Sequence, residues 1–289
     1  MITVTDNLKD TLQISIASPM EWLEVIEMAQ QETWDPGHGD DLSFFSVDNA
    51  GFFIGSLNGK IVAAISVVNF HGTYAHLGYY IVKPEFRGRG LGLTLWETAI
   101  KHAGDRCIGL DGMPAQEANY SKWGFSTHYH THRFQGVASA NFKKIGNISA
   151  INGGHLPAVI AFDEKFVGYS RINLLSCWFN NANRKGFILT EKQVIKGLIG
   201  IRPSDTGYRI GPFYATDASH IESLLHAAMA ELPENTLVTI DVPEFATETI
   251  ALLTSSGYRA LFHTCRMYLG IPPLFCQHGN NAVASLELG

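Results

Sequence analysis

Gly78-Tyr79-Tyr80-Ile81-Val82-Lys83-Pro84-Glu85-Phe86-Arg87-Gly88-Arg89-Gly90-Leu91-Gly92-Leu93-Thr94-Leu95-Trp96 is the stretch from which the rest of the sequence is read. Tyr79 to Val82 are aromatic or β-branched, the types that suit a strand. Pro84 removes a ladder donor and closes it. Gly88, Gly90 and Gly92 alternate, so the backbone can approach a ligand where a Cβ would clash. Leu91, Leu95 and Ile100 follow at helical spacing, and Gly104 supplies a stop. A glycine loop feeding a helix N-terminus is an anion site, because unpaired N–H groups and the helix dipole both favour negative charge there. Arg87 and Arg89 add positive charge at the same place.

Three kinds of phosphate loop compete for this segment. A nucleoside-triphosphate loop needs Gly-Lys-Ser/Thr at the helix start, and the sequence offers Gly92-Leu93-Thr94. A dinucleotide loop needs Gly-x-Gly-x-x-Gly, but the third glycine comes one residue early, although Asp111 could mimic the acidic residue that follows the next strand. Arg87-Gly88-Arg89-Gly90-Leu91-Gly92 fits a third pattern, Arg/Gln-x-x-Gly-x-Gly/Ala. It resembles the pyrophosphate loop of the GNAT acetyltransferase superfamily, with Val82-Lys83-Pro84 ahead of it in register.

The chain in order supports the same resemblance. Leu12 to Ala17 alternate as a strand, and Ser18-Pro19-Met20-Glu21 is a capping box with proline at the first helical position. Asp35 to Asp41 reads as a polar, acidic loop. Gly51–Leu57 and Lys60–Asn69 form strands joined by Asn58-Gly59, a hairpin signal. After the glycine loop come a strand at Cys107–Leu110, a helix carrying Asn119-Tyr120-Ser121-Lys122-Trp123, and a strand from Phe125 to Phe134. That is the GNAT order, and Asn119 to Phe125 resembles the family's Asn/Leu-Tyr-x-x-x-Gly-Phe element. The resemblance covers about the first 136 residues.

The second half repeats the first. Gly-Leu-Asp-Gly-Met-Pro, Trp-Gly-Phe and His-Thr-His-Arg-Phe between Ile108 and Phe134 recur as Thr-Ile-Asp-Val-Pro, Ser-Gly-Tyr and His-Thr-Cys-Arg-Met between Val238 and Met267. Similarity in one order at half the chain length means duplicated domains. The second half resembles the C-terminal acetyltransferase-like domain of tandem GNAT proteins. The expected architecture is therefore α/β (α+β): two tandem GNAT-like domains, each a mixed, mostly antiparallel sheet flanked by helices. Residues 1–140 form the acetyl-CoA-binding domain, 141–154 an aperiodic linker, and 155–289 a domain without the pyrophosphate loop. In that domain Tyr214 to Ser219 replace the loop, and Asp217 puts an anion where phosphate would sit.

Composition sets limits. With 289 residues, 46% hydrophobic and 17% charged, the chain is globular. A net charge of -6 argues against a nucleic-acid partner. No apolar stretch is long enough for a bilayer, and Met1 to Asp6 do not resemble a signal peptide, so a cytoplasmic protein is expected. Cys107, Cys177, Cys265 and Cys276 form no Cys-x-x-Cys pair, and none is placed as a nucleophile.

The resemblance implies acetyl transfer from acetyl-CoA to an amine of a small molecule or peptide by direct attack; the alternative is a non-catalytic acyl-CoA sensor. It implies that backbone groups of Ile81 and Val82 pair with the pantetheine arm. The amides of Arg87, Gly88, Arg89, Gly90, Leu91 and Gly92 would hold the pyrophosphate, and Asn119 would lie near the thioester. Tyr120 matches the family's general acid. Asp111, at a strand end beside the thioester, is a candidate base or amine anchor, and equally a turn or cap residue. Asp241 and Glu244 are candidate acceptor contacts, or part of a capping box. His128, His130 and His132 alternate on one strand, but no carboxylate or thiol completes a ligand set, so no metal is expected. The acceptor's identity and the oligomeric state are not legible.

Overall fold

The computed structural model describes residues 11–70, 72–138 and 147–289. Met1 to Asp6 and the first part of the expected linker, 141–146, lie outside the described residues. The first half runs β1 (Gln13–Ile16), α1 (Pro19–Gln31), α2 (Asp40–Phe45), β2 (Phe52–Leu57), β3 (Lys60–Asn69), β4 (Tyr74–Val82), α3 (Leu91–Ala99), β5 (Cys107–Gly112), α4 (Glu117–Ser121) and β6 (Ser126–Val137). The second half runs β7 (Asn147–Ala150), α5 (Leu156–Val167), α6 (Ile172–Asn180), β8 (Lys185–Glu191), β9 (Val194–Pro203), β10 (Tyr208–Ala215), α7 (Ser219–Met229), β11 (Leu237–Pro243), α8 (Thr247–Ser255) and β12 (Arg259–Leu269), then β13 (Asn280–Ala282). Up to β12 each element of the first series has its counterpart in the second.

Local signals act as expected in several places. Ser18 accepts from the Glu21 N–H while the Glu21 carboxylate bonds back to Ser18, which closes the capping box that starts α1. Asn58 and Gly59 both take positive φ between β2 and β3. Two expectations need correction. The supposed linker is ordered from Asn147, because β7 pairs antiparallel with β8 and so supplies the repeat of β1. The supposed acidic loop ends in α2, whose first residue Asp40 is buried against Arg184 and Arg202.

The strands form one continuous sheet in the order β1-β2-β3-β4-β5-β12-β6-β11-β10-β9-β8-β7, with β13 added against β10. The centre of this order shows that the halves exchange their closing strands. β12, from the second half, pairs with β5, and β6, from the first half, pairs with β11. β6 and β12 pair antiparallel with each other, placing His263 opposite His132. Each half therefore completes its sheet with a strand from the other. Helices cover both faces. Trp22 and Val25 of α1, Phe44 of α2, and Leu174 and Trp178 of α6 share one apolar cluster with Phe52, Ile54 and Tyr79. On the other face Leu95 and Trp96 of α3 pack with Phe53, Cys265 and Met267.

One irregularity positions the site. β4 and β5 run parallel and pair from Tyr74–Cys107 to Leu77–Leu110, then separate. Past that point β4 carries a bulge. Ser66 on β3 faces Gly78 and Ala64 faces Ile81, leaving two β4 residues opposite one, and Tyr79 takes φ +48°. Gly78 to Val82 thus have no partner on the β5 side.

Candidate active site

The glycine loop lies where the sequence placed it, between β4 and α3. Gly88 (φ +74°) and Gly90 (φ +79°) are left-handed, and a Cβ at either would meet open space. Their need for glycine is conformational, while the space above them stays clear for a ligand. Gly92 is small for a different reason. A Cβ there would lie 2.8 Å from the Tyr80 hydroxyl and 3.0 Å from Val82, so α3 is drawn onto β4. Arg87 bonds the Val82 carbonyl (2.8 Å) and pairs with Glu32, which fixes the loop to the α1 side. Arg89 lies over the Phe86 ring and forms no ion pair among the described residues. The segment therefore offers backbone donors, one uncommitted cation and room, as a pyrophosphate requires.

A cavity of about 220 Å³ lies between α3 and α4, lined by Tyr80, Leu93, Trp96, Asn119, Tyr120 and Trp123 among others. Asn119 is exposed there and bonds Gln116 and Lys122. Tyr80, Gln116 and Tyr120 also line a second cavity, of about 160 Å³, so the two meet at these side chains. Tyr120 sits on the short helix α4, its ring tilted against Trp96 (5.7 Å). Burial, with Tyr80 alongside, pushes its phenol up to about 12.

The second cavity lies along the unpaired stretch of β4, between Gly78 and Tyr80. Its walls are Trp34, Tyr79, Phe262 and Met113, and its polar groups are Asp111, Arg133, Thr264 and Glu287. Trp34 comes from the α1–α2 connection, Arg133 from β6 and Phe262 from β12, so the strand exchange brings both halves to one wall. Tyr79 OH, Asp111 Oδ1 and Thr264 Oγ1 are buried without a hydrogen-bond partner among the described residues. Orphaned buried polar atoms around a cavity are what a polar ligand would satisfy.

Asp111 is neither turn nor cap; it stays within β5. Its Oδ2 accepts from Arg266 Nε (3.0 Å) and Nη2 (2.6 Å), its register partner on β12. Burial raises its carboxyl and Arg266 opposes that shift. His76 lies 3.9 Å away, and burial holds it well below the usual imidazole range, hence neutral.

Asp241 and Glu244 do not sit as capping residues either, since α8 starts at Thr247. Asp241 is committed to a buried network. Arg133 donates to both its oxygens (2.7 and 3.0 Å), and Arg209 donates to Oδ2. Burial opposes its ionisation, but Arg133 and Arg209 outweigh that and hold its carboxyl at about 2. Glu244 is exposed and bonds His130 Nδ1 at 3.0 Å, beside the rings of His132 and His263. It is not among the cavity's lining residues. Among the described residues, no group of His, Cys, Asp and Glu is arranged to hold a metal. Cys107 is buried and its thiol pushed up to about 11, which disfavours a thiolate.

Sequence reasoning missed Trp34, Tyr79, Arg133, Phe262 and Glu287 as site residues. Their types carry no motif, and only the exchange of β6 and β12 and the course of the chain after β13 bring them together.

The second half differs where the cofactor would lie. β10 and β11 pair from Tyr208 to Ile210 and then part, as β4 and β5 do. There β13 fills the gap, pairing Phe213 with Ala282 and Tyr214 with Asn280. Asp217 lies just ahead of α7 and accepts from the N–H of Ser219, the helix's first residue (2.8 Å).

Comparisons with known proteins match both halves. The Acetyltransferase (GNAT) family model matches residues 18–125, and an Acetyltransferase (GNAT) domain model matches residues 159–280. Holothin acyltransferase of Pseudoalteromonas sp. (strain SANK 73390) is 43% identical over 273 residues, covering 94% of this chain and 93% of that protein. Among solved structures, a putative acetyltransferase from Pyrococcus horikoshii superposes with a TM-score of 0.82 at 17% identity, covering 100% of this chain and 99% of that one. A tandem GNAT protein from the clavulanic acid biosynthesis pathway gives 0.63 at 16% identity, covering 89% and 98%.

Proposed function

We propose that this chain, which belongs to the GNAT acetyltransferase superfamily as a tandem member and is an acyltransferase, moves an acetyl group from acetyl-CoA to the amine of a small molecule. One observation carries the reading: the glycine loop leads into α3, and the α3–α4 cavity beside that helix meets, at Tyr120, the aromatic cavity. In that order they suit the pyrophosphate, the pantetheine arm, the thioester sulfur and the acceptor. The unpaired stretch of β4 from Gly78, which includes Ile81 and Val82, suits the amide groups of the arm. The relative from Pseudoalteromonas is named as an acyltransferase of holothin.

Two proton problems govern the chemistry. An alkylammonium near ~10.4 must lose a proton before it can attack, whereas a thiol near ~8.5 departs tolerably as thiolate. A Tyr120 phenol at about 12 would lose roughly 5 kcal/mol in giving its proton outright to such a thiolate. Tyr120 therefore acts by hydrogen bonding to the developing charge on sulfur, with its proton shared late. Asp111, with one oxygen held by Arg266 and the other free, orders the polar side of the cavity.

The test is a calorimetric titration with acetyl-CoA alongside release of free thiol in the presence of primary amines. One equivalent should bind per chain, because the second half lacks the glycines and is filled by β13. Gly90→Val should weaken binding at least about 10-fold, because a branched residue at positive φ is strained and reshapes the loop. Saturation at two equivalents, or unchanged affinity in a folded Gly90→Val protein, would overturn the assignment.

A further inference from the structure

Past β13 the chain does not leave the molecule. Val283 donates to the Asp241 carbonyl (3.1 Å), the Ala284 carbonyl accepts from Arg202 (2.9 Å), and Leu288 joins the apolar cluster under α1 and α6. The Gly289 N–H closes a turn onto the Ser285 carbonyl (2.9 Å), and the Gly289 carbonyl accepts from Arg171 (2.6 Å). That turn carries Glu287 into the aromatic cavity of the first half, where it is 6% exposed. The approach is close enough to dictate another residue. A Cβ on Gly78 would lie 2.1 Å from the Glu287 carbonyl oxygen, so β4 needs glycine there.

The partners of the nearby charges are accounted for, except those of Glu287. Asp111 takes Arg266. Arg133 spends its donors on Asp241 and the Trp34 carbonyl. Arg209, the cation that faces Glu287 from β10, spends its own on Asp241 and the carbonyls of Trp34 and Asp35. Glu287 has the Ser285 hydroxyl, and its own N–H donates to that oxygen (3.1 Å). Among the described residues it forms no ion pair. A carboxylate so far from water is costly unless a cation meets it, and Glu287 lines a cavity walled by Trp34, Tyr79, Tyr80, Tyr120 and Phe262.

We infer that Glu287 is the group that binds the acceptor's ammonium and takes its proton, and that the acceptor is a cationic primary amine on a flat aromatic body. The inference rests on the acyl-transfer reading above and adds its missing base and substrate class. The ammonium gives one proton to the Glu287 carboxylate, and the freed nitrogen lone pair attacks the thioester carbonyl carbon. A C–N bond forms and the C–S bond breaks, its electron pair leaving on sulfur. The second nitrogen proton passes to that sulfur through the Tyr120 hydroxyl, and Glu287 later returns its proton to solvent. Aromatic walls favour both the flat body and the cation beside it.

Tyramine and its neutral analogue 2-(4-hydroxyphenyl)ethanol test this on the whole protein. The wild type should bind tyramine at least about 10-fold more tightly than the alcohol, given the usual worth of a buried ion pair's missing partner. Glu287→Gln should abolish that preference and lower kcat/KM for tyramine about 100-fold or more, with acetyl-CoA affinity within about two-fold of wild type. Glu287→Asp should recover part of the rate, and Gly78→Ala, which displaces the turn, should act in the same direction as Glu287→Gln. Equal binding of amine and alcohol by the wild type, or unchanged tyramine preference in a folded Glu287→Gln protein, overturns the inference. Loss of acetyl-CoA binding by the wild type would instead sink the donor site, while the tyramine titration, which needs no turnover, still decides Glu287.

Discussion

Tyr120 →Phe isolates a single hydroxyl, because the ring's contacts with Trp96 and Phe125 survive the change. If that hydroxyl stabilises the departing sulfur, turnover should fall by about 10- to 1000-fold while acetyl-CoA binds almost as before. A steady-state rate and a binding titration on the same mutant decide it; an unchanged rate removes Tyr120 from the mechanism. Because burial pushes its phenol up to about 12, Tyr120 also stays protonated throughout the working range. Asp111 illustrates what one residue's type can and cannot convey. Its place near the end of β5 was readable, but its bond to Arg266 joins residues 155 apart in sequence.

Elements meet through charge as well as through apolar packing. Asp241 on β11 links Arg133 on β6 to Arg209 on β10, all three nearly inaccessible. Removing the charge from one member of a buried pair leaves the others uncompensated, so Asp241→Asn should destabilise the fold by roughly 3–5 kcal/mol. Denaturant unfolding measures this, and a loss below about 1 kcal/mol would show the network to be dispensable. The same carboxyl gives a signed dependence on pH. Its folded value, about 2, lies below the ordinary aspartate value of 3.8. Its stabilisation is therefore complete above the unfolded value and is lost as pH falls toward 2, on the order of 2–3 kcal/mol in all.

At the scale of the whole molecule, the exchanged strands make the two halves one folding unit. A fragment of residues 1–140 keeps β5 and β6 but lacks β12, which pairs with both. It would expose two unpaired edges and the apolar surface around Leu95 and Trp96 that Cys265 and Met267 cover. We expect that fragment to be insoluble alone, and co-expression with 141–289 to restore a soluble pair that binds acetyl-CoA. Size-exclusion chromatography of the fragments decides this; a monomeric, cooperatively folded 1–140 would show that the exchange is not required. The second half thus supports the first by lending a strand, by closing its own empty cleft with β13, and by delivering the turn that bears Glu287.

The sequence by itself determined most of the elements and the glycine loop ahead of α3. Strand, glycine loop and helix from Gly78 to Trp96 are contiguous, and their conformations follow from local rules of φ, hydrogen bonding and periodicity, as does Tyr120 in its short helix. The duplication was readable for the same reason, since each half repeats the local pattern. Tertiary structure alone decided the aromatic cavity. Trp34, Asp111, Arg133, Phe262 and Glu287 come from separate stretches of both halves and converge only because closing strands are exchanged and the chain after β13 turns back. Pairing between β5 and β12, or between a turn at Ser285 and the bulge at Tyr79, depends on contacts more than a hundred residues apart, for which no local spacing in the chain provides a signal.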